Sequence, residues 1–284
     1  MAGLLPGRSE GGAHPALAEA EPVPYWLDQP GAPEPAGPLT RGDRANLVVI
    51  GAGFSGLWTA LLAKERAPED DVVLLEARTA GWAASGRNGG FCSASLTHGL
   101  ANGLVRFPDE LSTLERLGRR NLVEIESAVA RYSIGCDFER TGELSVAVEP
   151  WQMDDLHEYQ AQASALGQTV DVLDRDAVRA ELDSPTYLGG VWDRDGCAML
   201  DPARLVWGLR SACLALGVRI HDGTPVRRIE QTGQRLRLHT PAGTVDADRV
   251  ALATGAHTTL LRRLRHYLVP VYDYALMTEP LSPS

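Results

Sequence analysis

The residues best placed for chemistry are three glycines, Gly51, Gly53 and Gly56, which follow a short apolar run at residues 47–50. In the spacing G-x-G-x-x-G, the first glycine permits a tight turn and the second lets a ligand approach the main chain. The third lets a helix pack closely on a strand. The free N–H groups at the start of that helix can hold a pyrophosphate without a basic side chain. The spacing therefore predicts a binding site for an adenine dinucleotide.

A carboxylate at the end of the next apolar run supports this prediction. Glu76 closes the run at residues 72–75, which follows Asp71, and lies twenty residues after Gly56. A carboxylate in this place accepts hydrogen bonds from the ribose hydroxyls of an adenosine, and it would repel a 2′-phosphate. NADP is therefore disfavoured, whereas NAD and FAD remain alternatives.

A second segment, at residues 81–90, is rich in glycine and other small residues. Such residues let the main chain lie against a flat or charged ligand. Ser85, Arg87 and Asn88 add hydrogen-bond donors suited to a pyrophosphate or to the edge of a flavin. The alternative is a flexible surface loop without a ligand.

The hydrophobic pattern indicates which elements position these residues. The apolar runs predict two buried parallel strands, and the spacing from Leu57 to Lys64 predicts a helix that ends before Pro68, so together they form a β-α-β unit. Further helices are expected at 109–132, 150–166, 174–182 and 201–216, and strands at 142–148, 189–199 (with a hairpin), 218–220, 226–229, 235–239, 250–256 and 269–279.

The first 44 residues are rich in Gly, Ala, Pro and Glu and show no periodicity, which predicts a mostly flexible arm. The patch at residues 24–27 is the exception, because it contains the adjacent aromatic residues Tyr25 and Trp26. Two interpretations remain open: an anchor that docks on the body of the protein, or stray aromatic residues in a disordered tail.

Composition narrows the class of partner. The formal net charge of −10 disfavours nucleic acid or an anionic membrane as the main partner. The four cysteines show neither C-x-x-C pairing nor metal-ligand spacing with histidine, which predicts reduced thiols, a cytoplasmic location and no metal site. No stretch approaches the apolar length of a membrane helix, so no membrane partner is expected.

Several motifs together resemble one protein family. The sequence Ala84-Ser85-Gly86-Arg87-Asn88-Gly89-Gly90 follows the glycine motif and Glu76-Ala77-Arg78, and further similar segments are Thr224-Pro225-Val226, Ala253-Thr254-Gly255 and residues 269–281. On these residues the chain is similar, over about residues 24–281, to the D-amino-acid oxidase/glycine oxidase superfamily of FAD-dependent oxidoreductases (the DAO family). It is most similar to the gamma-glutamylputrescine oxidase-like branch.

The resemblance implies an α/β fold with a Rossmann-like FAD-binding domain and a second α+β substrate domain that looks incomplete. We expect an arm at 1–44 and an oxidoreductase at 45–284, with FAD-binding parts at about 45–148 and 190–262 and substrate-domain parts at about 149–189 and 263–284. Relatives of this class are longer, so an N-terminal fragment is expected; a natural short protein that binds flavin poorly is the alternative. The motif and the resemblance predict these cofactor-binding residues: Gly51, Gly53, Phe54, Ser55, Gly56, Glu76, Ala77, Arg78, Ser85, Gly86, Arg87, Asn88, Gly89, Gly90, Val226, Thr254 and Gly255.

The function implied is oxidation of an amine or amino-acid C–N bond by hydride transfer to FAD, which gives an imine, with O2 or an electron carrier reoxidising the flavin. Tyr272 and Tyr274 are expected to line the substrate pocket, because alternate residues of a strand share a face. Some members of the family that the chain resembles attach the flavin to a histidine in the segment after the second strand. Residues 81–90 contain no histidine, so the resemblance implies non-covalent FAD. No catalytic residue is assigned; His98, His257 and His266 are only titratable candidates. An NAD-linked enzyme and a non-catalytic flavin-binding protein remain alternatives.

Overall fold

The structure is a computed structural model, and it describes residues 23–257, 260–264 and 266–271. Six helices are α1 (Phe54–Arg66), α2 (Leu100–Arg106), α3 (Leu111–Arg131), α4 (Pro150–Ala165), α5 (Arg175–Glu181) and α6 (Pro202–Ala215). The strands of the described residues are β1 (Asp43–Ile50), β2 (Val72–Leu75), β3 (Phe91–Ser93), β4 (Glu143–Ala147), β5 (Asp171–Leu173), β6 (Gly189–Asp193), β7 (Cys197–Met199), β8 (Arg219–His221), β9 (Arg228–Thr232), β10 (Arg235–Thr240) and β11 (Gly243–Leu252).

A six-stranded sheet in the order β8-β2-β1-β11-β10-β9 forms the centre of the fold. The first four strands are parallel, and β10 and β9 extend the sheet antiparallel. The pairing register places Ile50 beside both Leu75 and Leu252, and Leu75 beside His221. The carboxyl ends of the four parallel strands therefore share one edge, where ligands bind in open α/β sheets.

The core lies on both faces of this sheet because successive strand side chains point to opposite sides. On one face, Val49 and Leu74 pack in a cluster with residues of α1 and α6, including Leu57 and Leu209. On the other face, Val48 packs in a cluster of strand and loop residues. The expected β-α-β unit and the parallel sheet are thus confirmed.

Helix α6 begins as predicted. The side chain of Asp201 accepts a hydrogen bond from the N–H of Arg204, and Pro202 occupies the first helical position, where its missing N–H costs nothing. The Sγ atom of Cys213 lies 3.4 Å from the carbonyl of Leu57, which brings α6 directly against α1.

A smaller unit packs separately. Strands β4, β6 and β5 form a three-stranded antiparallel sheet, and residues of this sheet share a hydrophobic cluster with residues of α2 and α4. The half-buried ion pair between Arg119 of α3 and Asp193 of β6, at 2.7 Å, ties α3 to this sheet. The expected domain boundary near residue 149 cuts through this unit, because β4 and β6 were assigned to the FAD-binding part and β5 to the substrate part.

Two local expectations were wrong. Residues 189–199 do not form a hairpin: β6 pairs with β4 and β5, whereas β7 pairs with β3. The strand expected at 226–229 begins only at Arg228. Of the strand expected at 269–279, residues 269–271 form no strand, and residues 272–279 lie outside the described residues. Short β3 and α2 were not predicted, because three and seven residues carry little periodicity.

The flexible arm was also predicted to end too late in the chain. Residues 24–27 form a 3₁₀ turn that is hydrogen-bonded to the body, so the anchor interpretation is confirmed. Strand β1 starts at Asp43, which lies inside the arm expected at residues 1–44.

No helix of the described residues is both long enough and apolar enough to cross a membrane.

Candidate functional site

The glycine turn leaves β1 at the shared carboxyl edge. Gly51 has a φ of +105°, and a Cβ atom there would lie 2.5 Å from the carbonyl oxygen of Ala253. A Cβ on Gly56 would lie 1.8 Å from the carbonyl oxygen of Gly51. Both contacts are with main chain, which cannot rotate away as a side chain can. The first glycine therefore makes the turn and the third lets α1 approach it, as the motif predicts.

The start of α1 lies at this edge, directly after the glycine turn. Gly53 is the N-cap and has no side chain to cap the helix, and the first turn contains no acidic residue. Instead, the hydroxyl of Ser85 accepts a hydrogen bond from the N–H of Phe54 at 3.0 Å. A Cβ on Gly53 would lie 2.8 Å from the Ser85 oxygen, so the second glycine leaves room for this serine. Ser55 is exposed in the first turn.

Glu76 joins two main-chain segments at the same edge. Its Oε2 accepts a hydrogen bond from the N–H of Ala52 at 2.7 Å, and its Oε1 accepts one from the N–H of Arg78 at 2.8 Å. These bonds fix the orientation of the carboxylate. Each ionised oxygen can accept more than one hydrogen bond, so acceptor capacity remains for two ribose hydroxyls.

The segment after β8 lies beside Glu76. The N–H of Thr224 donates to the carbonyl of Glu76 at 2.7 Å. Val226 is buried in the core with Val73 and Leu75. Ala77 and Arg78, which follow Glu76 in the chain, are exposed. The structure thus brings these predicted residues together on the β2–β8 side of the glycine turn.

Asn88 organises the second glycine-rich segment, residues 84–90. Its side-chain amide donates to the carbonyls of Ala84 (3.2 Å) and Ser85 (3.1 Å), and its Oδ1 accepts from the N–H of Gly90 at 2.9 Å. The carbonyl of Gly90 accepts a hydrogen bond from the N–H of Leu200 at 3.0 Å, just before α6. Gly86 and Gly90 are buried, whereas Gly89 is exposed.

Two arginines lie against one aromatic ring at this segment. The guanidinium carbons of Arg78 and Arg87 are 4.4 Å and 4.7 Å from the ring centroid of Trp82. Burial, together with the charge of Arg78, lowers the pKa of Arg87. Two cations held this close favour a bound anion such as a pyrophosphate.

On the other side of the glycine turn, residues 253–257 follow β11. The N–H of Ala253 donates to the carbonyl of Ile50 at 2.9 Å, and the N–H of His257 closes a turn onto the carbonyl of Thr254 at 3.1 Å. Thr254 is half-buried and Gly255 is exposed. The ring of His257 is 6.3 Å from that of Trp82, so this turn lies beside residues 81–90.

Together these residues fit a dinucleotide. A carboxylate that is fixed by two hydrogen bonds lies at the end of β2, the start of α1 follows β1, and two small-residue segments flank them. The close main-chain approaches at Gly51, Gly53 and Gly56 are those that the dinucleotide motif requires.

The structure leaves other candidates outside this set. Tyr272 and Tyr274 lie outside the described residues. His98 is exposed and has a positive φ of 57°, and no structural feature assigns it a catalytic role. Within the residues that the structure describes, no group of three or more His, Cys, Asp or Glu is arranged to hold a metal ion.

The sequence analysis missed two residues of this region, Trp82 and Asp222. Trp82 stood inside the segment at 81–90 but carried no motif signal. Asp222 is buried, accepts a hydrogen bond from the N–H of Ala36 at 2.7 Å, and has a pKa raised by burial. Its position directly after β8 was the available signal, because polar residues at carboxyl ends of parallel strands face the ligand edge.

All four cysteines are free thiols, as predicted. Burial raises the pKa of Cys92 and of Cys136 to about 11 and that of Cys213 to about 12. They are therefore neutral side chains near pH 7, which favours a packing role over a nucleophilic one.

Comparison with known proteins agrees with this geometry. A family model described as FAD dependent oxidoreductase (DAO) matches residues 46–284. A probable oxidoreductase, OrdL, from Haemophilus influenzae is 30% identical over 266 residues, which cover 91% of this chain and 61% of that protein. Gamma-glutamylputrescine oxidoreductase from Escherichia coli is 30% identical over 223 residues, covering 77% of this chain and 51% of that protein.

Among solved structures, glycine oxidase from Geobacillus kaustophilus matches with a TM-score of 0.64 at 22% identity, over 75% of this chain and 56% of that chain. This likeness shows the shared fold. The chain spans 51% to 61% of the length of these two curated relatives.

Proposed function

Because the chain belongs to the family of FAD-dependent oxidoreductases, we propose that it holds FAD at the carboxyl edge of its central sheet and that the protein oxidises a C–N bond of an amine or amino acid. The observation that supports the proposal most strongly is the fixed orientation of the Glu76 carboxylate. It accepts hydrogen bonds from the N–H groups of Ala52 and Arg78, directly beside the start of α1. A carboxylate held in this place accepts hydrogen bonds from the ribose hydroxyls, so FAD or NAD is favoured over NADP.

The residues divide the cofactor between them. Glu76 and the main chain around Val226 hold the adenosine half. The first turn of α1 holds the pyrophosphate through the main-chain N–H groups that follow Phe54, from Ser55 onward, because the N–H of Phe54 itself donates to the Ser85 hydroxyl. Residues 84–90 and the turn at 254–255 flank the flavin half.

The chain's own residues bind and orient rather than exchange protons. When bound, FAD supplies the acceptor for a hydride from the carbon next to the substrate nitrogen, which leaves an imine that water hydrolyses. The turn at 254–255 and residues 84–90 orient the cofactor against the sheet edge. The second substrate is O2 or an electron carrier.

The relatives support this substrate class. The curated relative from Escherichia coli is named for the oxidation of gamma-glutamylputrescine, which is an amine. We propose that the three-stranded sheet β4-β6-β5, with α4 and α5, forms part of a substrate domain and that Tyr272 and Tyr274 line its pocket. The four free thiols support a cytoplasmic location.

The first experiment is to purify the chain, add FAD or NAD, and remove unbound cofactor. We expect flavin absorbance near ~450 nm to remain with the protein, and acid denaturation to release all of it, since the attachment is non-covalent. A longer chain that includes any continuation of the reading frame should then release peroxide, or reduce a dye, with members of an amine panel. Retention of NAD but not FAD would refute the cofactor. FAD retention without turnover of any amine would favour the non-catalytic alternative.

A charge at the helix start makes this test sharper. Ser55→Asp adds a carboxylate in the first turn of α1, where it stabilises the helix by ~0.5 kcal/mol through the helix dipole but repels a pyrophosphate. We therefore expect higher stability without cofactor and at least about tenfold weaker FAD binding. Thr59→Asp, one turn further along, is the matched control and should leave FAD affinity within about twofold. Equal affinity for both variants would contradict pyrophosphate binding at this helix.

A further inference from the structure

The Pro-rich segment at residues 24–39, here called the strap, crosses the cofactor edge. We propose that the strap positions residues 84–90 for FAD, so that Trp26 and Gln29 are positioning residues for the cofactor. This inference rests on the proposed FAD site at that loop. The strap lies outside the G-x-G-x-x-G unit and outside the family match, which begins at residue 46.

The first contact of the strap is with the loop itself. The indole N–H of Trp26 donates to the carbonyl of Asn88 at 2.9 Å. The side chain of Asn88 is also hydrogen-bonded to Ala84, Ser85 and Gly90. The strap therefore bonds to the residue that holds the rest of the loop together. Leu27 covers the same loop from outside: a Cβ on Gly86 would lie 2.8 Å from its Cδ2 atom.

The second contact joins the strap to the start of α6. The amide of Gln29 donates to the carboxylate of Asp201 at 2.7 Å and to the carbonyl of Trp26 at 2.7 Å. Its carbonyl oxygen accepts from the Nε of Arg204 at 3.1 Å. The N–H of Leu200, the residue before Asp201, donates to the carbonyl of Gly90. The strap and the end of the loop at Gly90 are therefore both bonded to the segment just before α6.

The third contact is buried. Arg210 donates to the carbonyl of Glu34 at 3.0 Å, and Asp222 accepts from the N–H of Ala36 at 2.7 Å. Arg210 and Asp222 are only 7% and 2% exposed and lie 3.7 Å apart at their closest charged atoms. The buried Leu39 then donates its N–H to the hydroxyl of Thr224 at 3.0 Å, beside the adenosine end of the site.

These three contacts span the site from Asn88 to Thr224. Between them the strap, together with Trp82, Arg87 and Trp207, lines a half-open pocket of about 340 Å³. A glycine-rich loop that is held in place before the ligand arrives loses less conformational freedom on binding, and the affinity rises accordingly. The strap therefore acts by preorganising the loop, without contributing a ligand of its own.

The test uses the single substitution Trp26→Phe, which keeps an aromatic ring and removes the N–H donor together with the five-membered ring that carries it. The amides of Gly86, Arg87 and Gly90 are hydrogen-bonded within the loop, and they report its opening by hydrogen exchange without any cofactor. We expect their exchange to accelerate about fivefold, equivalent to ~1 kcal/mol, and the Kd for FAD to rise by the same factor. Amides of β1 should exchange as in the unchanged chain.

Tyr25→Phe is the matched control, because it removes a hydroxyl from the neighbouring residue of the same turn, where the side chain is 56% exposed. It should change neither loop exchange nor FAD affinity. Gln29→Ala removes the second contact and should reproduce the effect of Trp26→Phe at the same three amides.

Loop exchange and FAD affinity that both stay within about twofold in Trp26→Phe and Gln29→Ala would overturn the proposal. Equal acceleration in β1 would also overturn it, because it would show general destabilisation. If the unchanged chain binds no FAD, the proposed cofactor fails, and the exchange measurement alone decides whether the strap holds the loop.

Discussion

Glu76→Gln is the most informative perturbation of the candidate site, because one carboxylate joins two main-chain segments and, in the proposed site, accepts hydrogen bonds from the ribose. Glutamine keeps one acceptor oxygen, so either the N–H of Ala52 or that of Arg78 would face an amide NH2 group. A hydrogen bond to a charged acceptor is worth ~1.5–3 kcal/mol. We therefore expect the free energy of unfolding to fall by about 2 kcal/mol and the Kd for FAD to rise about 10- to 100-fold.

Urea unfolding, followed by tryptophan fluorescence, measures the first quantity, and quenching of flavin fluorescence measures the second. Glu69→Gln is the control, because Glu69 is exposed and lies between α1 and β2. A Glu76→Gln variant with unchanged stability would refute the argument that the carboxylate clips the glycine turn. A loss of stability with unchanged FAD affinity would show that it holds the turn but not the ribose.

Three further outcomes are expected. Gly56→Ala places a methyl group against the main chain of Gly51, so thermal unfolding should show a loss of about 2–3 kcal/mol; an unchanged melting temperature would contradict the packing. Burial raises the pKa of Asp222, so its ionisation opposes folding: stability should fall as pH rises from ~4 towards the raised pKa, and Asp222→Asn should flatten this profile, whereas an identical profile would count against it. Cys213, whose pKa burial raises to about 12, should resist iodoacetamide at pH ~8 until urea unfolds the chain; rapid native labelling would refute its burial.

The sequence predicted the parts of the fold in which local pattern and tertiary role coincide. Val48 and Val49 belong to a continuous apolar run because β1 is covered on both faces. Asp201 followed by Pro202 is a helix-start signal that depends only on adjacent residues. Both signals are local. The geometry of the glycine turn was predictable for the same reason, since the motif Gly51–Gly56 and Glu76 are close in sequence.

The parts that escaped prediction depend on distant partners. The strap has no periodicity, because its hydrogen bonds come from single groups such as Trp26, Gln29 and the N–H of Ala36. β6 pairs with β4, which is about 40 residues earlier in the chain, rather than with the nearer β7, which pairs with β3. Neither choice is written in the local sequence pattern.

The position of β11 has a consequence for the order of events during synthesis. β1 pairs with β11, and Asn46 is bonded to Asp248 across a separation of 202 residues. At ~5–20 residues per second, a ribosome needs about 10 to 40 s to make that intervening chain. The Gly51 turn touches Ala253, so it is closed only after β11 has emerged. We therefore expect the cofactor to bind only after nearly the whole described chain has been translated. Until then, β1 can pair with β2 but not with β11.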